Sequence, residues 1–354
     1  MRYIVQGAGA IGCLVGGLLA DSGAEVILIA RPSQADTINQ HGITIHSVFH
    51  PTKQVTNIKA VTSPHDIAPQ PGDVLMLAVK STQTNHCIHE LHEVFPQDTP
   101  LFCLQNGVRN ETTAAERFLH VYGVMIAACV NHLEPGVVCH TLKQDLVIGN
   151  YPLGCDEIAT KVAQDLSKAG FNAVLSGHVM AAKWGKLVLN LTNALLAATG
   201  HHLQLAWNLP EVSLLMAEVQ EEGIHVVEAS GIPLAEGNSP LDVYAMTRKT
   251  REVGENVPDQ EAIRAAENLP ENHRTYVSTW FDLKRQHGEC EASYLNGEIL
   301  LLGEKHSIPT PYNFALLDLV ERMAAQHFPP GHYSIAEVRE MIEQKKAELT
   351  QPSA

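Results

Sequence analysis

Lys186, Asn190 and Asn193 stand at offsets of zero, four and seven along an otherwise apolar run from His178 to Thr199. At about 100° per residue, those offsets fall within about 60° of one another on a helix. Lys183, three residues before Lys186, extends the same edge. Leu and Ala on the remaining faces predict a largely buried helix. An ammonium and two carboxamides there need partners, because unpaired polar groups are costly away from water. Two readings are open from spacing alone: neighbouring loops satisfy these groups, or they face a cleft and receive a ligand. In the second case the helix offers one cation and neutral donors, a set suited to an anionic substrate whose oxygen gains charge during reaction.

The elements that must position these groups divide the chain into two. The first half alternates β-like runs with helical stretches, predicting an α/β fold, a Rossmann-like doubly wound parallel sheet. Its strands are expected at Tyr3–Gln6, Glu25–Ala30, Val74–Val79, Leu101–Leu104 and Val121–Val124, with antiparallel additions at Gly136–His140 and Asp145–Ile148 and a last strand at Phe171–Leu175. From His178 onward strand signals stop, predicting an all-helical C-terminal domain. It opens with one helix over 178–199 and continues with helices near Glu211–Ser230, Arg274–Arg285, Ala292–Glu304, Pro311–Ala325 and Ile335–Leu349. The polar stretch Ala235–His273 reads as a surface excursion with one helix. The boundary is expected at Ser176-Gly177, giving a nucleotide-binding domain 1–176 and a substrate domain 177–354.

Gly7-Ala8-Gly9-Ala10-Ile11-Gly12 follows the first strand and opens a helix over Ala10–Ser22 that Gly23 stops. In that context G-x-G-x-x-G is the dinucleotide fingerprint. Gly7 allows the tight turn, Gly9 lets the backbone approach a pyrophosphate, and Gly12 lets helix and sheet pack closely. The helix N-terminus favours the phosphate charge. The second strand ends in Ala30-Arg31. An acid there would hold a ribose 2′-hydroxyl, whereas Arg suits a 2′-phosphate, so NADP(H) is the expected cofactor. Lys80 and Gln105-Asn106-Gly107 close later strands and form a polar rim at the sheet's carboxyl edge, where ligands of open α/β sheets bind. Each could also be simple turn chemistry.

The net charge of −15 argues against nucleic-acid binding, and an anionic substrate would need local positive charge to enter the site. Seven scattered cysteines without a Cys-x-x-Cys pair point to reduced thiols in a cytoplasm. Met1–Val5 runs directly into the glycines, which predicts no signal peptide, and no apolar run is long enough to span a bilayer. His86, His89 and His92 crowd one short helix, but a helix turns i and i+6 apart, so they are read as a solvated face and not as a metal site.

In this order these pieces resemble the ketopantoate reductase (2-dehydropantoate 2-reductase) family from residue 1 to about 325. The resemblance rests on Gly7–Gly12, Arg31, Val79-Lys80, Gln105-Asn106-Gly107, Glu134–His140, Lys186-Leu-Val-Leu-Asn190, Ser278-Thr-Trp-Phe-Asp282 and Glu291–Gly297. It implies Lys186 as general acid, with Asn106, Asn190 and Ser278 holding the substrate's carboxylate and hydroxyl groups. Asn193 is a further substrate candidate on the same helix. Lys80 and Asn106 would line the nicotinamide side, and Glu291 would reach cofactor and active-site polar groups from the second domain. Some spacings differ from the family pattern. Asn193 comes seven residues after the lysine where the family has eight. Glu291 lies nine residues after Asp282, one more than usual, and Gly288-Glu-Cys290 replaces an Arg-x-Thr.

The function implied is NADPH-dependent reduction of a small anionic 2-keto acid, ketopantoate to pantoate in pantothenate synthesis, by a monomer or homodimer. Desolvation lowers a lysine's pKa and makes it a better acid near neutral pH. The alternatives are a related NADP-dependent enzyme acting on another keto or hydroxy acid, and a non-catalytic NADP-binding regulatory protein.

Overall fold

A computed structural model describes residues 1–48, 50–235 and 241–350. It forms two compact units, Met1–Lys183 and Trp184–Ala354. The division falls inside a helix, a short way past the expected Ser176-Gly177 boundary, because the first turns of that helix pack with the sheet.

In the first unit the chain runs β1 (Arg2–Gln6), α1 (Ala10–Asp21), β2 (Glu25–Ile29), α2 (Pro32–His41), β3 (Ile43–Ser47), β4 (Lys53–Val55), β5 (Lys59–Val61), β6 (Asp73–Leu77), α3 (Thr84–Val94), β7 (Leu101–Cys103), α4 (Asn110–Ala115), β8 (Val121–Glu134), β9 (Val137–Asn150), α5 (Glu157–Lys168), β10 (Asn172–Leu175) and α6 (Val179–Asn190). The strands order as β4-β3-β9-β8-β7-β6-β1-β2-β5, with β10 beside β9. From β5 through β1 to β8 the pairs are parallel, and β8 meets β9 antiparallel. Strands leave β1 in both directions, β2 on one side and β6 on the other. That reversal puts the mouth of the sheet at the carboxyl ends of β1 and β6, the switch point where such folds bind ligands.

Two features of the sheet depart from the expectation. Strands β3, β4 and β5 lie outside the expected set: β4 and β5 have three residues each, and β3 carries only Ile43 and Ile45 as an alternating apolar pattern. β8 continues ten residues past Val124 to Glu134, because β9 pairs along its whole length and absorbs irregular stretches as bulges near Ala127–Cys129 and His132–Glu134. The two antiparallel pieces expected at Gly136–His140 and Asp145–Ile148 are one strand, β9.

Asp156 caps α5, accepting from the Ala159 N–H at 2.8 Å, the Tyr122 hydroxyl at 2.7 Å and Asn150 Nδ2 at 2.8 Å. Burial disfavours its charge, but the hydrogen bonds outweigh burial and hold the carboxyl below its ordinary value. A depressed folded-state pKa adds stability above the unfolded value of about 4 and loses it as pH falls through the folded value. Asp156→Ala is therefore expected to cost about 1–2 kcal/mol at pH 7, seen as a lower Tm. The gap to the parent should narrow as pH falls below about 4; a gap independent of pH would contradict this account.

The second unit is helical: α7 (Asn193–Thr199), α8 (Leu203–Ala206), α9 (Pro210–Ala229), α10 (Val243–Glu255), α11 (Gln260–Glu267), α12 (Ser278–Arg285), α13 (Asn296–His306), α14 (Pro311–Ala325) and α15 (Ile335–Thr350). The expected single helix over 178–199 is two helices, α6 and α7. At the break, the Leu191 carbonyl accepts from Asn296 Nδ2 at 3.0 Å, and the Thr192 hydroxyl turns back to the Leu189 carbonyl at 3.0 Å. Gly223 on α9 lies against Leu191, where a side chain would collide at 2.4 Å. The helix expected from Arg274 begins at Ser278, and the one expected from Ala292 begins at Asn296 after a 3₁₀ turn. The polar stretch 235–273 holds two helices, α10 and α11, with Val243 and Thr247 buried; its residues 236–240 lie outside those described. Among the described residues, no helix is long and apolar enough to cross a membrane.

Candidate active site

Gly7 turns the chain out of β1 with φ +105, a left-handed conformation that favours glycine. A Cβ there would lie 2.8 Å from Val79 Cγ1 and 3.0 Å from the Ala78 backbone, so the glycine also lets β1 and β6 end side by side. A Cβ on Gly12 would fall 1.8 Å from the Gly7 carbonyl oxygen, so α1 can start this close to the sheet only with hydrogen at that position. Gly9 is the opposite case: its Cβ direction meets nothing within 4 Å. Between them the Ala8 carbonyl is tied down by Gln34 Nε2 at 2.9 Å and by the Cys13 thiol at 3.2 Å. Burial pushes that thiol up to about 12, so it stays a donor. Ala10 and Ile11 begin α1, whose N-terminus has no side-chain cap and no acid in its first turn.

These observations test the fit of a dinucleotide. An uncapped helix N-terminus carries unspent N–H groups and partial positive charge. The open space over Gly9 leaves room for a pyrophosphate against the backbone. Arg31 is exposed at the N-cap of α2, just past β2, with no ion pair among the described residues. The residues present fit the cofactor.

Beyond β6 and β7, Lys80 is half-buried at the start of a 3₁₀ turn over Ser81–Gln83. The loop Gln105-Asn106-Gly107 is held from several sides. The Asn106 carbonyl accepts from Asn110 Nδ2 at 2.8 Å and from the Ser81 hydroxyl at 3.2 Å. Gln105 Nε2 donates to the Thr84 hydroxyl at 2.6 Å, which donates to Asn110 Oδ1 at 2.7 Å. The carboxamide of Asn106 itself is half-buried and makes no hydrogen bond among the described residues.

Lys183 does not join a ligand-facing edge. It is 4% exposed and pairs with Glu111, which is wholly buried, while also donating to the Gln105 carbonyl at 3.1 Å. Glu111 was not singled out from sequence; the signal was there in a lysine on an apolar helix that required an acid.

In the second unit Lys186 and Asn190 remain one turn apart on α6, both half-buried. Asn193 is 7% exposed and starts α7, so it follows a break and not a continuous stripe. Ser278 is the first residue of α12, and Glu291 precedes the 3₁₀ turn Ala292–Tyr294; both are half-buried. The side chains of Asn190, Asn193 and Ser278 take no hydrogen bond among the described residues. His86 and His89 are exposed on α3, 3.7 Å from Glu90 and 3.5 Å from Glu93 respectively.

A glycine cradle at the switch point of a doubly wound sheet, followed by a helical unit carrying unspent polar side chains, defines a nicotinamide-dinucleotide oxidoreductase. Comparison with known proteins narrows the class. The profile of ketopantoate reductase PanE/ApbA matches residues 3–152, and that of its C-terminal domain matches residues 178–324. The chain belongs to the ketopantoate reductase family. It is 28% identical to the 2-dehydropantoate 2-reductase of Pyrococcus horikoshii over 326 residues, covering 91% of this chain and 97% of that protein. The crystal structure of a PanE/ApbA family ketopantoate reductase from Ralstonia eutropha JMP134 superposes with a TM-score of 0.75 at 30% identity, covering 92% of this chain and 99% of that one. A D-mandelate dehydrogenase solved with NADH and anilino(oxo)acetate shares the fold, with a TM-score of 0.74 at 24% identity over 92% of this chain and 99% of that one.

Proposed function

We propose that this protein reduces a 2-keto acid to the 2-hydroxy acid with NADPH, 2-dehydropantoate to pantoate in pantothenate biosynthesis being the preferred substrate and setting. The observation that carries the reading is the set of unspent polar side chains, Asn106, Asn190, Asn193 and Ser278, in a family whose members are named for this reaction. Buried and half-buried amides and hydroxyls without partners are costly unless a ligand or water takes them up. A carboxylate and hydroxyl groups use both their donor and acceptor atoms.

Gly7, Ala8, Gly9, Ala10, Ile11 and Gly12 hold the pyrophosphate at the start of α1, and Arg31 holds the ribose 2′-phosphate. Lys80, Asn106 and Glu291 serve the nicotinamide end. The bound nicotinamide supplies the hydride. Lys186 gives the proton to the carbonyl oxygen as that oxygen becomes an alkoxide, and its charge favours the same change. Lys80 and Lys186 supply local positive charge to a protein of net charge −15. The enzyme acts in the cytoplasm, as seven scattered cysteines without a Cys-x-x-Cys pair suit, and as a monomer or homodimer.

The test is oxidation of NADPH and NADH with ketopantoate, pyruvate, longer branched 2-keto acids and an aromatic 2-keto acid. Ketopantoate with NADPH should give the highest kcat/KM. A higher value for another acid would reassign the substrate, and tight NADPH binding without oxidation would favour a regulatory protein. Arg31→Ala should weaken NADPH about 10- to 100-fold, the worth of a charge-assisted hydrogen bond, and leave NADH unchanged. Equal affinity of the parent for both cofactors would rule out the 2′-phosphate role.

A further inference from the structure

Lys183 and Glu111 form a buried ion pair that the reaction as proposed does not use. Glu111, on α4, is wholly buried, and its second oxygen has no hydrogen-bond partner among the described residues. Lys183, on α6, spends its ammonium on Glu111 and on the carbonyl of Gln105. The first turn of α6 is seated closely as well: a Cβ on Gly123 of β8 would lie 3.0 Å from Val179 Cγ1. A buried pair is a poor source of stability, since two charges leave water to make it. What it does supply is geometry. One carbonyl of the loop is held by Lys183 and the next by Asn110 and Ser81. With both peptide planes pinned, the Cα–Cβ bond of Asn106 keeps one direction, which narrows where its carboxamide can reach; among the described residues the carboxamide itself takes no hydrogen bond.

We infer that Lys183 and Glu111 are positioning residues: the pair latches the Asn106 loop to the helix that goes on to carry Lys186, and so orients Asn106 for the substrate. This rests on the reductase reading for its consequence, but the latch itself is a property of the fold. It assigns the lysine three residues before Lys186 a role without proton transfer.

The experiment separates positioning from stability. Lys183→Met and Glu111→Leu singly each leave one buried charge without its partner and should lower Tm. The double variant Lys183→Met/Glu111→Leu replaces the pair with apolar groups of similar size, a change that is often neutral for stability. Its Tm should return to near the parent's, and its NADPH affinity should fall less than its kcat, because the cradle at Gly7–Gly12 is untouched while Asn106 also serves the nicotinamide end. Its kcat should remain about 10- to 100-fold low, as a misplaced binding group costs, with backbone hydrogen exchange over residues 104–108 faster than in the parent. A double variant with the parent's kcat would overturn the inference and leave the pair as packing alone. Should the double variant not fold, Lys183→Met/Glu111→Gln also removes the latch without leaving a buried charge unpaired, and the same readouts decide with the same signs. Should the parent reduce none of the keto acids, the reductase reading fails. Hydrogen exchange then decides the latch, a parent-like rate in the variant overturning it.

Discussion

Lys186→Ala is expected to leave NADPH affinity within about threefold of the parent while kcat falls by about 10²-fold or more. The cradle for the cofactor is built from β1, α1 and the end of β6, none of which contains Lys186. An alanine at that position changes no residue of that cradle. The loss should appear in kcat and in kcat/KM together, because a proton donor acts mainly on the transition state. The pH dependence is a second readout. If Lys186 is the acid, the fall in parent activity at high pH should disappear from the residual activity of the variant. Unchanged turnover in Lys186→Ala would refute the role. Lys183 has the same side chain three residues earlier, but with its ammonium committed to Glu111 and Gln105 it should not stand in as the donor.

Gly9→Ala and Gly12→Ala are expected to damage the protein in different ways. The Cβ added by Gly9→Ala would meet nothing, and Gly9 has φ −82, which alanine adopts without strain. Tm should stay at the parent's value. The methyl would occupy the space above the backbone that the pyrophosphate needs, and NADPH affinity should fall about 10- to 100-fold, the equivalent of one or two charge-assisted hydrogen bonds. In Gly12→Ala the new Cβ would lie 1.8 Å from the Gly7 carbonyl oxygen, so helix and turn must separate. Overpacking of that kind costs about 1–3 kcal/mol or more, and both Tm and NADPH affinity should drop. Calorimetry and cofactor titration on the two variants check this directly. If Gly9→Ala bound NADPH as the parent does, the open space over Gly9 would not be the phosphate site.

The residues that write their structure locally were legible in the chain. Gly7 and Gly12 announce a turn and a closely packed helix start because only a missing side chain permits each. Arg31 follows its strand directly, so its proposed place at the cofactor's ribose end comes from the strand itself. The amphipathic helices α9 and α14 were read to within a residue, since a face that must be buried repeats along the chain. Partners distant in sequence were not legible. Nothing in 178–199 says that the Leu191 carbonyl is taken by Asn296, more than a hundred residues later, and that bond is where the expected helix divides. β8 runs on to Glu134 because β9 is there to pair with it, although Ala127 and Ala128 have little strand preference of their own.

Composition, the glycine spacing and the order of the elements therefore determined by themselves that this chain is a two-part protein with a dinucleotide fold and a helical half. Spacing along the chain also singled out Lys186, Asn190 and Asn106 as candidates, and the resemblance to the ketopantoate reductases added Ser278. Tertiary structure decided how Lys183 is spent. Lys183 and Lys186 are alike in type and share one helix, and only the fold shows that a carboxylate is brought from α4 to the first of them. A buried charge is settled by what the fold carries to it across space, and no periodicity along the chain encodes that distance.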